Sequence, residues 1–314
     1  MSDLRVLNLV PSEASRFFQQ QVDTLESLGV ENKILSVPGR REYDDGDTSG
    51  RSVLDYARLY PHALAASFGD YDLIHANYGL TAPHALCQPN LPVVLSLWGT
   101  DLFGKYGRVS KLCARWADEV VVMSPDMAAA LDCESHVIPH GIDLERFRPE
   151  PAAPARERVG WTDEGYHVLF PYPPEREVKN YPRADRVVDA ARDHLEAPIT
   201  LHAVTGVPHA EMPSYLNAAD ALLLTSHHEG SPNAVKEALA CNLPVVATDV
   251  GDVRTRLDGL PQAHVGRSDA ELVDGLVAVL RSDERPRGRD RVREISRQHT
   301  GEQLLSLYRT VVDG

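Results

Sequence analysis

Apolar and polar positions along this chain change period repeatedly, from short continuous apolar runs to stripes of helical spacing. Val6 to Val10 form a run of strand length, and the stretch from about Glu13 to Leu28 puts Phe18, Val22 and Leu25 on one helical face before Gly29 stops it. Ile34 to Val37 reads as a second strand entering an acidic, glycine-rich loop. Strand-like runs follow at Leu73 to His75, Val93 to Leu97, Glu119 to Met123 and His136 to Ile138, with helical segments between several of them. The second half repeats this with His167 to Phe170, Ile199 to Val204, Ala221 to Leu224 and Val245 to Ala247, then helical patterns around Leu272 to Leu280 and Glu302 to Val312. Such alternation predicts the α/β class, with doubly wound, mostly parallel sheets. The proline-rich, charged stretch from Arg148 to Glu157 reads as a linker, which divides the chain into domains 1–150 and 151–314.

In open α/β sheets ligands bind beyond the carboxyl ends of the strands, so the loops at 11–15, 75–81, 98–105, 139–143, 171–180, 205–208 and 226–233 are the places to seek chemistry. The richest is the block from Thr225 to Thr248, where Glu229 and Glu237 flank a predicted helix start. Gly230 allows a tight turn, Ser231 is placed to cap, and Pro232 suits the first helical position. The Asn233 and Ala234 amides would then point outward at the positive end of the helix dipole, a site for phosphate. Glu237 lies one turn further on the same face, where its carboxylate can accept from ribose hydroxyls, and Glu229 in the loop can do so for a sugar ring. The competing reading makes Ser226-x-x-Glu229 a capping box on an ordinary amphipathic helix marked by Val235 and Leu239; Gly230 and Pro232 argue against it.

Length and composition narrow the choice. At 314 residues two cores are expected, and no apolar run reaches the roughly 18 residues of a membrane span. The start of the chain shows no signal-peptide pattern, so a cytoplasmic, soluble protein is expected. Cys87, Cys113, Cys133 and Cys241 are scattered, which fits free thiols rather than a disulfide frame or a zinc site. The net charge of −14 argues against nucleic acid and leads us to expect no basic patch for anionic lipid, while leaving room for transient membrane association at a local surface that reaches a lipid-linked substrate.

Five pieces in order, Tyr71 to Ala76, Leu97 to Asp101, Val137 to Pro149, Arg176 to Asn180 and Glu229 to Thr248, give the chain a resemblance to the retaining family 4 glycosyltransferases of the Glu-x7-Glu type. The resemblance implies the GT-B fold, two Rossmann-like domains facing across a cleft. The first would be the acceptor side and the second the nucleotide-sugar donor domain, with the last helix packing back on the first. It further implies that Glu237 binds ribose, Glu229 holds the transferred sugar, and Gly230, Ser231, Pro232, Asn233, Thr205 and Gly206 line the donor. Arg176 and Lys179 would clamp the diphosphate. Two cations aimed at a leaving diphosphate stabilise its developing charge without a metal, and no Asp-x-Asp stands directly at the end of a strand; no metal and no cofactor are expected beyond a UDP- or GDP-sugar as substrate. Trp98, Asp101 and His75 would face the acceptor, Trp98 standing where many family members carry His. His140, Gly141 and Asp143 read as a turn closing the first domain.

The implied activity is transfer of a hexose to a glycan, glycolipid or small-molecule acceptor. The alternatives are a GT-B sugar-nucleotide epimerase and a two-domain ligand-binding protein without turnover. Neither the base, the sugar, the acceptor nor the oligomeric state follows from the sequence.

Overall fold

A computed structural model of the chain describes residues 4–38, 52–282 and 284–314. It divides into two compact units, one formed by Met1–Gly141 with Arg297–Gly314 and the other by Ile142–Ser296. The division therefore falls at Gly141 rather than near residue 150. The stretch read as a linker is not one: Ala152–Val159 is a helix ending at Gly160, whose φ of 72° suits only glycine well, and Arg156 fixes that helix through Nη2, which donates to both carboxylate oxygens of Asp220 at 2.7 and 2.9 Å. Prolines at its start mimicked a linker because the first turn of a helix needs no amide hydrogens.

The first unit holds β1 (Leu4–Val10), β2 (Val30–Ser36), β3 (Leu73–Asn77), β4 (Val93–Leu97), β5 (Glu119–Val122) and β6 (His136–Val137), all parallel, in the order β2-β1-β3-β4-β5-β6. The second holds β7 (Tyr166–Phe170), β8 (Ile199–Ala203), β9 (Ala221–Leu224), β10 (Val245–Thr248) and β11 (Ala263–Gly266), parallel, in the order β11-β10-β9-β7-β8. The strand β11 was not foreseen from the sequence, because Ala-His-Val-Gly is short and offers no apolar run. The acidic loop predicted after β2 lies largely outside the described residues.

Alternation places side chains of the second sheet on two cores. Leu222, Leu224, Val245 and Ala247 pack on one face, and Ala221, Leu223 and Val246 on the other. In the first unit the returning helix Arg297–Asp313 inserts Leu304, Leu305, Leu307 and Tyr308 into the core beneath β1, β3 and β4. Strand order reverses between β1 and β3 in one unit and between β7 and β9 in the other. The loops after β7 and β9 therefore open on a switch-point crevice, and these are the loops that carry Arg176, Lys179 and Glu229.

Candidate functional site

After β7 the chain makes a 3-10 turn, Glu177–Lys179, and Asn180 takes a left-handed conformation at φ 55° to start the next helix. The loop after β9 fastens this turn in place: Thr225 Oγ1 donates to the carbonyls of Lys179 (3.1 Å) and Asn180 (3.0 Å), and His227 N donates to Val178 O at 2.9 Å. Two loops distant in sequence thus become one structure, and Lys179 meets Glu229. Its Nζ donates to Glu229 Oε1 at 2.5 Å, and Ser226 Oγ donates to the same oxygen at 2.7 Å, while Oε2 takes part in none of the described hydrogen bonds. The spacing Ser226-x-x-Glu229 is used, but side chain to side chain rather than as a capping box.

Lys179 is buried, and burial pulls its pKa below the usual lysine value against the opposing pull of the Glu229 carboxylate. The Tyr172 ring lies under it, with Nζ 3.8 Å from the ring centroid and the guanidinium carbon of the exposed Arg176 at 5.9 Å. A cation held between an aromatic face and a carboxylate is positioned before any ligand arrives. Tyr172 was missed by sequence reasoning, which had no way to tell this ring from core.

The helix after Glu229 spans Asn233–Ala240, one residue later than expected. Pro232 is its N-cap residue rather than its first helical residue, and Ser231 does not cap: its hydroxyl donates to Asp252 Oδ2 at 2.8 Å. Asp252 also accepts from Arg256 Nε at 2.7 Å, and its amide donates to Gly230 O at 3.3 Å. The 230–231 turn is therefore tied to the loop after β10. Gly251 makes that possible, since its φ is 53° and a Cβ there would stand 2.3 Å from Gly230 O. The first-turn amides of Asn233 and Ala234 take part in none of the described hydrogen bonds, and Asn233 Oδ1 is buried without a partner among them.

Glu237 is 7% exposed, and its Oε1 faces His209 Nε2 at 2.8 Å. His209 leans on Phe147, ring centroids 5.1 Å apart. Neither residue was singled out from the sequence, although His209 stands just after the predicted donor loop. In that loop Thr205 and Gly206 are exposed, and Gly206, at φ 70°, has open space where a side chain would be. Among the described residues no three His, Cys, Asp or Glu side chains are grouped as a metal site would require.

In the first unit, the three predicted acceptor contacts part company. His75 does not face an acceptor: it is fully buried, with Nδ1 2.6 Å from Tyr308 Oη and Nε2 2.7 Å from Ser96 Oγ, and burial lowers its pKa to about 3. It is a neutral core imidazole with both nitrogens occupied. Asp101 is likewise withdrawn: its carboxylate accepts from the amides of Trp98 (2.9 Å), Gly99 (2.8 Å) and Gly79 (2.9 Å) and so clamps the turns after β3 and β4 together. The clamped turn carries Tyr78 at φ 129°, a conformation costly for any residue but glycine. Trp98 remains partly exposed, edge-on to Tyr78 and to His140, which itself stacks on Phe17 at 5.2 Å. A cavity lined by Phe17, Gln21, Ser96, His140 and Arg297 adjoins this group. His140, read as part of a closing turn, thus belongs with Trp98.

Residues 14–146 match the family described as Glycosyltransferase Family 4, and residues 181–282 match Glycosyl transferases group 1. TuaC of Bacillus subtilis, named as a teichuronic acid biosynthesis glycosyltransferase, is 31% identical over 58% of this chain and 54% of its own length. The D-inositol 3-phosphate glycosyltransferase of Geodermatophilus obscurus is 29% identical over 54% of this chain and 45% of its own. The matched chain thus spans about half the length of these curated relatives. Among solved structures, the sucrose-phosphate synthase of Thermosynechococcus elongatus superposes with a TM-score of 0.76 over 98% of this chain and 99% of that one, at 16% identity, which shows a shared GT-B fold. No helix among the described residues is long and apolar enough to cross a membrane.

Proposed function

Because the chain belongs to the family 4 glycosyltransferases, we propose that it transfers a hexose from a nucleotide-diphosphate sugar to a glycan, glycolipid or small-molecule acceptor, with retention at the anomeric carbon and without a metal ion. The observation that carries the reading is the buried Lys179 held between Glu229 and the Tyr172 ring, on the loop facing that of the Asn233–Ala240 helix start. A lysine so placed, with Arg176 beside it, offers two cations to one leaving group.

In this reading the diphosphate lies against Arg176, Lys179 and the Asn233 and Ala234 amides, and Glu237, steadied by His209, accepts from the ribose hydroxyls. Glu229 Oε2 accepts from a hydroxyl of the sugar. As the bond from the anomeric carbon to the phosphate oxygen lengthens, negative charge grows on that oxygen and the two cations stabilise it. The leaving phosphate takes the proton of the acceptor hydroxyl as that oxygen closes on the same face of the sugar. This route needs no separate general base and preserves the anomeric configuration.

The test is calorimetric titration of UDP, GDP and ADP without metal. One of them should bind, and Glu237→Ala should weaken it by about 1 to 3 kcal/mol, the worth of a hydrogen bond to a charged group. Lys179→Ala should lower kcat for acceptor-dependent nucleotide release by about 100- to 1,000-fold. Binding of none of the three, or equal binding by the Glu237 variant, would overturn the donor-site assignment.

A further inference from the structure

Among the described residues, five of the nine large apolar side chains that are most exposed crowd into one short segment: Phe103, Tyr106, Val109, Leu112 and Trp116. The helix Gly107–Ala114 explains how they come to be outside. Gly107, Ser110, Cys113 and Ala114 face inward, so the opposite side must face solvent. That side bears two adjacent stripes of helical spacing. Val109, Leu112 and Trp116 make an apolar one, with Leu112 58% and Trp116 74% exposed, and Arg108, Lys111 and Arg115 make a basic one, with Lys105 just ahead of the helix. Between Leu102 and Trp116 there is no acidic residue, in a chain whose net charge is −14. None of the four cations takes part in an ion pair among the described residues. The expectation of no basic patch, drawn from the charge of the whole chain, is therefore corrected: a local surface escapes an average taken over 314 residues.

We infer that this face of the first unit, residues 103–116, docks onto the surface of an anionic phospholipid bilayer. The apolar stripe would enter the headgroup boundary while the basic stripe stays level with the lipid phosphates. Charge complementarity decides the occupant. A second copy of the chain paired face to face would set these cations against their own equals, whereas an anionic surface matches all four. An exposed tryptophan in the turn just past the helix, next to the arginine and lysine of its outer face, suits the boundary between water and hydrocarbon. The inference is independent of the glycosyl-transfer reading, since it uses none of the residues assigned to the donor or the acceptor.

Co-sedimentation with vesicles tests it, using neutral phosphatidylcholine vesicles and vesicles in which about a third of the lipid is phosphatidylglycerol. The protein should sediment with the anionic vesicles and not with the neutral ones, and binding should fall steeply as salt is raised. Two double variants separate the stripes, Leu112→Ser with Trp116→Ser and Arg108→Glu with Arg115→Glu. Each should weaken binding by at least about tenfold, while the melting temperature and nucleotide titrations stay unchanged because all four side chains are exposed. The inference is overturned if no vesicle binds, if neutral and anionic vesicles bind alike, or if either variant binds as well as the wild type. It is also overturned if the wild type dimerises without lipid and the Leu112 and Trp116 variant does not, for the patch would then be a protein interface.

Discussion

His75 and Tyr308 come from opposite ends of the sequence and meet in the core of the first unit, where Ser96 completes a short polar chain among aliphatic side chains. A histidine at the predicted end of a strand can equally be a ligand contact or a satisfied core residue, and the difference lies in the continuation of the strand to Asn77 and in partners 21 and 233 positions away, beyond the reach of local pattern. Its protonation has a defined consequence for stability. The folded pKa of about 3 lies below the unfolded value near 6.5, so the unfolded state binds the proton first as pH falls. The stabilising effect is whole above about pH 6.5 and is lost progressively between that pH and about 3. We expect the urea midpoint to fall through this window, with His75 alone giving a slope of up to about 1.4 kcal/mol per pH unit. A His75→Asn variant, less stable at neutral pH, should show a shallower slope; an unchanged slope would remove His75 as its source.

At the scale of elements, the strands were legible because parallel strands covered on both faces leave unbroken apolar runs such as Ala221–Leu224. Helix starts were less so. Ser231 and Pro232 have the composition of a cap and a first turn, yet Asp252, 21 residues on, captures the Ser231 hydroxyl and draws the turn toward the loop after β10. The Glu229 and Glu237 spacing was readable, whereas Tyr172, His209 and Gly251 were not, since each matters only through a tertiary neighbour. The basic and apolar stripes at 108–116 were readable by period and were lost in the chain-wide charge. Gly251 gives the sharpest test of the loop pairing. Gly251→Ala must accommodate both a left-handed conformation, costing about 1 to 2 kcal/mol, and a Cβ at 2.3 Å from Gly230 O. We expect a lower melting temperature together with weakened nucleotide binding. A variant that melts lower but binds normally would show that the 230–231 turn does not depend on this contact.

For the whole molecule the governing fact is that the first unit is discontinuous: the chain leaves it at Gly141, builds the second unit through Ser296, and returns as one helix. Gly301 lets that helix lie against Arg16–Ser27, for a Cβ there would stand 2.5 Å from Thr24 Cγ2. The first unit therefore cannot complete its core until the last residues are present, whereas the second has both of its own cores within 142–296. Burying Leu304, Leu305 and Leu307 is worth roughly 5 to 9 kcal/mol, as large as the entire stability of many domains. Truncation after Ser296 also strips the Tyr308 hydroxyl from buried His75, leaving an imidazole nitrogen unpaired. We expect the truncated chain to lose the calorimetric transition of the first unit while the second still unfolds cooperatively and binds the nucleotide taken up by the intact protein. Vesicle binding should be lost together with that transition, because the 103–116 face unfolds with its unit. Retention of both transitions would mean that strand pairing around β1, β3 and β4 suffices without the returning helix.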